Sequence, residues 1–255
     1  MRRTRIAAAL ARVAPHSGNA PQAYFLGFAG DGEERVFEQE VKLAAAAIGR
    51  RYGTVGHSLL LINDERDLDS QPLATVAGLE LALKGLAAKM DPRQDILFLV
   101  LSSHGSDDPL LAVSNAGMPL NQLDAQAVAS ALDDAGIRHR VIIISACYAG
   151  AFIPSLRNED TIILTAAAAD RTSFGCGSDR ELTYFGEALF RDALPRAASL
   201  PRRASSSTEC AAWPRSSAKA DQFTTVQTLP SWPSVLAATG MLRASVPTVV
   251  RNAAS

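Results

Sequence analysis

The stretch Ile96-Leu97-Phe98-Leu99-Val100-Leu101 places six apolar residues in succession, with no polar residue between them. A strand with one face in water alternates apolar and polar residues, whereas a strand that is buried on both faces does not. Val141-Ile142-Ile143-Ile144 repeats the pattern later in the chain. We therefore expect both stretches to be central strands of a sheet that helices cover on both sides.

Helical patterns separate these two runs from three others of the same kind. Strands that alternate with helices favour a parallel sheet, because each helix carries the chain back to the edge at which the strands start. The predicted strands are residues 23–28, 58–62, 95–101, 140–144 and 161–165, and the predicted crossover helices are residues 33–52, 72–90 and 121–136. The expected fold class is α/β, with three layers (α-β-α) and a mostly parallel central sheet.

Composition limits the kinds of protein that this chain can be. A chain of 255 residues with 47% hydrophobic residues is long and apolar enough for one large domain. The formal net charge of −1 gives no basic excess for binding nucleic acid. Three cysteines are too few for a disulfide framework, and no cysteine or histidine spacing indicates a metal or another cofactor. No apolar run reaches the ~18 residues of a membrane span, and nothing predicts the oligomeric state.

The two ends of the chain differ in character from its middle. We divide it into an N-terminal extension (1–20), a globular domain (21–196) and a tail (197–255). Near the start, arginines precede an apolar stretch that Arg12 interrupts. This pattern favours a short amphipathic helix or a frayed end over an export signal, and hence a cytoplasmic location.

The tail is rich in Ser, Ala, Pro and Arg, and it carries six basic residues against two acidic ones. It lacks a convincing amphipathic period. Two interpretations stay open. The tail is either a disordered extension or the product of an out-of-frame stretch in a GC-rich gene, since such frames encode mixtures of this kind.

Polar motifs follow the two central strands at the point where each strand ends. Ser102-Ser103-His104-Gly105 comes directly after the first, and Ser145-Ala146-Cys147-Tyr148-Ala149-Gly150 comes directly after the second. Ligands of open α/β sheets bind at this edge. One loop, one helix and one strand fit between the motifs, so we expect the two strands to be neighbours. His104 and Cys147 are then on the same edge of the sheet.

The two side chains together suit nucleophilic catalysis. A thiolate is a strong nucleophile, and an imidazole can deprotonate the thiol and later protonate the leaving amine. The amides of Gly105 and Cys147 are natural donors to an oxyanion. Taken singly, each motif is more typical of a loop histidine or of a small buried cysteine. It is their combination that predicts a site.

A strand that ends in Ser-His-Gly, followed by one that ends in Ser-Ala-Cys-Tyr-Ala-Gly, resembles the legumain-type cysteine peptidases, which share their fold with caspases and gingipains. The resemblance extends from about Tyr24 to Leu194 and implies a caspase-haemoglobinase-like fold. It also implies a cysteine endopeptidase domain at 21–196 that acts on peptide or protein substrates. In that family pattern His104 is the general base, Cys147 is the nucleophile, and Gly105 and Cys147 form the oxyanion hole.

The substrate pocket departs from the family pattern. Residues 165–176 resemble the loop that follows the next strand, so Asp170, Arg171 and Ser173 are expected to border the pocket. Legumains cleave after asparagine through an acidic residue in this loop, where this chain has Arg171. We therefore do not expect asparagine specificity. The family also includes a transamidase, but hydrolysis is the default expectation. Near the other motif, Asp107 or Asp108 could orient the His104 ring.

Other functions fit the sequence less well. Residues 27–32 lie where a nucleotide-binding loop would, but they lack the full Gly-x-Gly-x-x-Gly spacing, and nearby acidic residues would repel phosphate. No Gly-x-Ser-x-Gly motif indicates a serine hydrolase. The alternative left open is a non-catalytic member of the same fold, a binding or regulatory module, because the tail does not clearly provide the strand and helix with which the fold should end.

Overall fold

A six-stranded sheet forms the centre of the molecule in the computed structural model, which describes residues 2–66, 71–177, 180–197 and 224–227. The strand order is β2-β1-β3-β6-β7-β8. The first five strands of this order are parallel, and β8 pairs antiparallel with β7 at the edge. The strands are β1 (Ala23–Ala29), β2 (Ser58–Ile62), β3 (Ile96–Ser102), β6 (His139–Ser145), β7 (Thr161–Thr165) and β8 (Thr224–Gln227).

Helices cover both faces of this sheet, so the molecule has three layers. One face packs against α1, α3, α4 and α5, and the other packs against α2 and the helical segment after residue 183. The α-helices are α1 (Arg2–Ala11), α2 (Arg35–Tyr52), α3 (Val76–Ala87), α4 (Ala125–Asp134), α5 (Ile153–Leu156), α6 (Tyr184–Gly186) and α7 (Leu194–Ala197). A 3₁₀ turn (Ala149–Phe152) precedes α5, and a π-helical stretch (Glu187–Ala193) joins α6 to α7.

The apolar run of β3 is divided between two hydrophobic cores. Leu97, Leu99 and Leu101 pack into the core under α3 and α4, while Phe98 and Val100 pack into the core under α2. Every residue of the strand is buried. Burial of each such side chain contributes roughly 1.5–3 kcal/mol, so a strand with apolar residues on both faces is stable only at the centre of a three-layer fold.

The prediction of an α/β fold with five strands and three crossover helices is confirmed, with shifts of a few residues at the helix ends. Local capping explains those shifts. Thr75 begins α3 by accepting a hydrogen bond from the Gly78 amide at 3.0 Å. Asp124 does the same for α4, with the Ala127 amide at 2.7 Å. The small antiparallel pair β4 (Leu110–Leu111) and β5 (Leu123–Asp124) was not predicted, because two residues are too few to show an alternating pattern.

The sequence analysis places residues 1–20 and 197–255 outside the globular domain. Ile6, Ala9 and Val13 of the N-terminal segment are buried in the same core as α3, so this amphipathic helix packs on the domain. Of the predicted tail, the structure describes only Ala197 and Thr224–Gln227. The disordered and out-of-frame interpretations of the rest lie outside the described residues.

Candidate active site

The two sequence motifs meet at the carboxyl edge of the sheet. Strands β3 and β6 are parallel neighbours, and their register pairs Ser102 with Ser145. His104 and Cys147 each follow two residues after these paired serines, so both lie at the same edge. The chain passes from β1 to β2 on one side and then crosses to β3 on the other, so the switch point of the sheet, where open α/β sheets bind ligands, lies between β1 and β3 and borders the His104 motif.

The loops that carry His104 and Cys147 are in direct contact. The Ser103 amide donates to the Ser145 carbonyl at 3.2 Å. One residue after His104, a β-carbon on Gly105 would overlap the Cys147 carbonyl oxygen and lie 3.1 Å from the Ala146 β-carbon. Only a residue without a side chain allows this approach. The glycine of the first motif is therefore needed to bring the two loops together.

Two amide groups at this contact are available to a ligand. Within the described residues, neither the Gly105 amide nor the Cys147 amide donates a hydrogen bond. Both belong to residues whose backbones touch. Unpaired amides on neighbouring residues can donate to an oxygen that becomes negatively charged.

The residue after Cys147 has a strained backbone. Tyr148 has φ 54° and ψ 19°, in the left-handed region that side chains disfavour. Its amide donates to the Arg171 carbonyl at 2.9 Å, and the Gly150 amide donates to the Ala167 carbonyl at 3.0 Å. The loop after β7 thus fixes the sharp turn that presents Cys147. The turn continues into the 3₁₀ segment and α5.

The sulfur of Cys147 lies in an environment that favours the thiolate. The Ser173 amide points at the sulfur with a nitrogen–sulfur distance of 3.3 Å. The pKa of Cys147 is lowered to about 6, first by the interaction with the Cys176 thiol, then by the Ser173 amide and by the charge of His104, while burial opposes these effects. The same interaction and burial raise the pKa of Cys176 far above its ordinary value.

The imidazole of His104 is half-buried and rests against an aromatic ring. Phe37, on α2, meets it edge to face with a centroid distance of 4.9 Å and an interplanar angle of 82°. Asp107 and Asp108 are exposed, and neither forms a hydrogen bond or ion pair with His104 in the described part of the chain. Phe37, and not a carboxylate, is the side chain that packs against the ring.

The predicted pocket residues lie in the loop that contacts Cys147. Ser173 reaches Cys147 through its backbone, as described above, and Arg171 reaches Tyr148 through its carbonyl oxygen. The side chains of Asp170 and Arg171 are mostly exposed and form an ion pair with each other at 3.1 Å. The backbone of this loop is therefore part of the site, and these two charged side chains extend from its rim.

Sequence reasoning missed Glu40 as a component of the site. Its carboxyl group is fully buried beneath the two motifs and accepts a hydrogen bond from the Thr183 hydroxyl at 2.5 Å. Thr183 also lies 3.3 Å from the Ser145 hydroxyl. Burial raises the pKa of Glu40 to about 7, against the opposing effect of the nearby hydroxyl groups of Ser145, Thr183 and Ser102. The sequence does carry a signal for this position, because Glu40 is a charged residue among the apolar residues that α2 buries.

The lowered pKa predicts how alkylation of Cys147 depends on pH. In a Cys210→Ser background, the rate with iodoacetamide should rise with pH and reach half its maximum near pH 6, because the thiolate reacts and the pKa is about 6. Replacing Cys176 with alanine removes the interaction with its thiol, so the half-maximum should move toward the ordinary value of about 8.5. Mass spectrometry of the modified peptide measures both rates. An unchanged midpoint in Cys176→Ala would contradict the assigned cause.

A metal site and a membrane-spanning helix are both absent from the described ranges. No group of three or more His, Cys, Asp or Glu residues among them could hold a metal ion. None of the helices in the same ranges has the length and apolar character for crossing a membrane.

A protein-family model matches the part of the chain that carries the site. A family model described as the peptidase C13 family matches residues 73–209, which is more than half of the chain. The matched region includes both motifs and the loop after β7. A search of curated proteins finds no match.

Proposed function

Because the chain belongs to the peptidase C13 family, the legumain-type cysteine peptidases, we propose that it is an endopeptidase with Cys147 as nucleophile and His104 as general base and acid. The observation that carries this proposal is the meeting of the two strand-end motifs. The parallel register of β3 and β6 and the backbone contact between Gly105 and Cys147 support it. No second residue pair is needed for the chemistry.

The first half of the reaction cleaves the peptide bond. The Cys147 thiolate attacks the scissile carbonyl carbon, and the carbonyl oxygen gains the negative charge. The amides of Gly105 and Cys147 donate to that oxygen as it forms, which stabilises the transition state more than the substrate. His104 then gives a proton to the leaving amine, and an acyl-enzyme remains on the Cys147 sulfur.

The second half releases the product. His104 takes a proton from water, which attacks the acyl-enzyme carbonyl, and the tetrahedral intermediate collapses with loss of the thiolate. The lowered pKa of Cys147 makes the thiolate the better leaving group in this step. Water is the acceptor that we assign, so the products are a carboxylic acid and an amine.

The loop after β7 is where we propose that the substrate side chain binds. Its residues Asp170, Arg171 and Ser173 border the nucleophile loop. Phe174, next to Ser173 in the chain, is 41% exposed and offers apolar surface in the same loop. A panel of peptides that differ in the residue before the scissile bond would measure the preference, and loss of that preference in Arg171→Ala would assign it to this loop.

Covalent labelling tests the proposed nucleophile and base. A peptidyl acyloxymethyl ketone should modify Cys147 stoichiometrically, because such reagents require an activated thiolate beside an imidazole. Labelling should be lost in Cys147→Ala and in His104→Ala. The matched control is Asp107→Ala, which changes an exposed residue three positions after His104 and should label like the wild type. Folded wild-type protein that takes no label would favour the non-catalytic alternative.

A further inference from the structure

Glu40 carries a buried carboxyl group for which the proposed reaction has no direct use. It lies on the face of α2 that packs on the sheet, and it is completely buried. A carboxyl group loses its hydration on burial, and this loss destabilises the fold unless hydrogen bonds replace the water. An apolar side chain of the same length would fill the space without that loss. Packing alone therefore does not explain a glutamate at this position.

A chain of hydrogen bonds connects Glu40 to the end of β6. The Thr183 hydroxyl donates to a carboxylate oxygen of Glu40 at 2.5 Å, and the Gly186 amide donates to the Thr183 hydroxyl oxygen at 2.9 Å. The Ser145 hydroxyl lies 3.3 Å from the same Thr183 oxygen. Because Thr183 gives its one hydroxyl proton to Glu40, Ser145 is the donor in this contact. The chain thus ends at Ser145, two residues before Cys147.

The residues at the ends of β3 and β6 face α2. Val100 of β3 and Ile143 of β6 pack into the core under α2. Side chains two residues apart lie on the same face of a strand, so Ser102 and Ser145 point toward α2 as well. The register pairs these two serines directly. Glu40 therefore lies under the end of the strand that leads to the nucleophile, beside the end of the strand that leads to the base.

Helix α2 contacts both halves of the site from one face. Phe37, three residues before Glu40, packs edge to face against the His104 ring. Residues three apart lie on the same side of a helix. The Glu40 carboxyl group is also held tightly, because a β-carbon on Gly186 would lie 2.6 Å from its carboxyl carbon. The helix thus supports the base through Phe37 and the strand of the nucleophile through Glu40.

We propose that Glu40 is a positioning residue that acts through Thr183 and Ser145. The hydrogen-bond chain fixes the carboxyl end of β6, and with it the turn that presents Cys147 to a substrate. Glu40 is too deeply buried to touch a substrate, so it takes no part in the chemical steps. A displacement of about 1 Å at a reacting group can lower a rate about 100-fold. The inference rests on the proposed function for its effect on kcat, but not for its effect on the turn.

Two substitutions of Glu40 separate hydrogen bonding from packing. Methionine is unbranched and fills the same space, but it is a poor hydrogen-bond acceptor, so Glu40→Met should lower kcat about 10- to 100-fold with little change in KM. Glutamine keeps an oxygen that can accept from Thr183. Because burial raises the pKa of Glu40 to about 7, the carboxyl group is partly neutral near pH 7, and an amide replaces it closely. Glu40→Gln should therefore keep kcat within about 3-fold of the wild type.

Glu38→Met makes the same change on the same helix and serves as the control. Glu38 is also buried, but it forms an ion pair with Lys42 and has no hydrogen bond to Thr183 or Ser145 in the described part of the chain. It should keep the kcat of the wild type. A normal kcat in Glu40→Met, or an equal loss in Glu40→Gln or in the control, would overturn the inference.

The route through Ser145 predicts that the effects of two substitutions do not multiply. Ser145→Ala removes the hydroxyl at the far end of the hydrogen-bond chain. Residues that act through one network are not additive, so the double variant Glu40→Met/Ser145→Ala should lose no more kcat than the more impaired single variant. Losses that multiply would show that Glu40 acts by a route that does not include Ser145, against the proposal.

Hydrogen exchange of the full chain, followed by mass spectrometry, measures the turn without any catalysis. The Tyr148 amide is protected by its bond to the Arg171 carbonyl. Peptides that cover residues 146–152 should exchange faster in Glu40→Met than in the wild type, and those of α3, on the opposite face of the sheet, should not change.

The exchange and the activity fail independently. A wild-type protein that neither cleaves peptides nor takes the ketone label would reject the peptidase proposal, and the exchange would then decide the role of Glu40 alone. Equal exchange over residues 146–152 in the wild type and in Glu40→Met would reject that role. Faster exchange in α3 as well would indicate a general loss of stability and would likewise reject it.

Discussion

Cys147→Ser is expected to lower the rate of peptide hydrolysis on the order of 10⁴-fold or more. The serine hydroxyl has nearly the same size, so the turn at Tyr148 and the contact with Gly105 remain possible. Its pKa is far above that of a thiol, however, and the surroundings that bring Cys147 to a pKa of about 6 do not generate an alkoxide. A fluorogenic peptide assay of kcat/KM measures the loss.

The control for this variant is Cys210→Ser, which makes the same chemical change just beyond the region matched by the family. It should keep the activity of the wild type. A circular dichroism melt of Cys147→Ser should match that of the wild type, because no core side chain is lost. Activity within about 10-fold of the wild type would reject Cys147 as the nucleophile, since the loss of a true nucleophile is far larger.

The ends of β3 and β6 are the part of the site that the sequence predicts. Uninterrupted apolar runs can only be central strands, and the carboxyl ends of neighbouring parallel strands share one edge. His104 and Cys147 could therefore be brought together without coordinates. The observed register pairs Ser102 with Ser145, so the two strands end level with each other and the two motifs begin side by side.

The remaining contacts of the site come from segments distant in sequence, which local patterns do not report. Phe37 touches His104 because α2 packs under β3. Glu40 reaches Thr183 across 143 positions of the chain. The contact between the Ser173 amide and the Cys147 sulfur depends on how the loop after β7 folds back over the turn at Tyr148. Such contacts depend on tertiary packing, so no period or motif of one segment predicts them.

Gly105→Ala is expected to reduce kcat by about 100-fold or more. The added β-carbon overlaps the Cys147 carbonyl oxygen and comes within 3.1 Å of the Ala146 β-carbon. Backbone atoms on the Cys147 side cannot rotate away as a flexible side chain can. The two loops must therefore separate, which moves the Gly105 and Cys147 amides away from the position of the oxyanion and moves His104 away from the sulfur.

The expected split of the kinetic constants distinguishes this effect from weaker substrate binding. Amides that act on the oxyanion in the transition state affect kcat, whereas the loop after β7 affects the binding of the ground state. Gly105→Ala should thus lower kcat with little change in KM. Ser106→Ala, one position later, removes a hydroxyl that donates to the Asp108 carbonyl at the surface, and it should leave kcat unchanged. A Gly105→Ala enzyme with normal kcat would show that the contact between the two loops does not position the oxyanion donors.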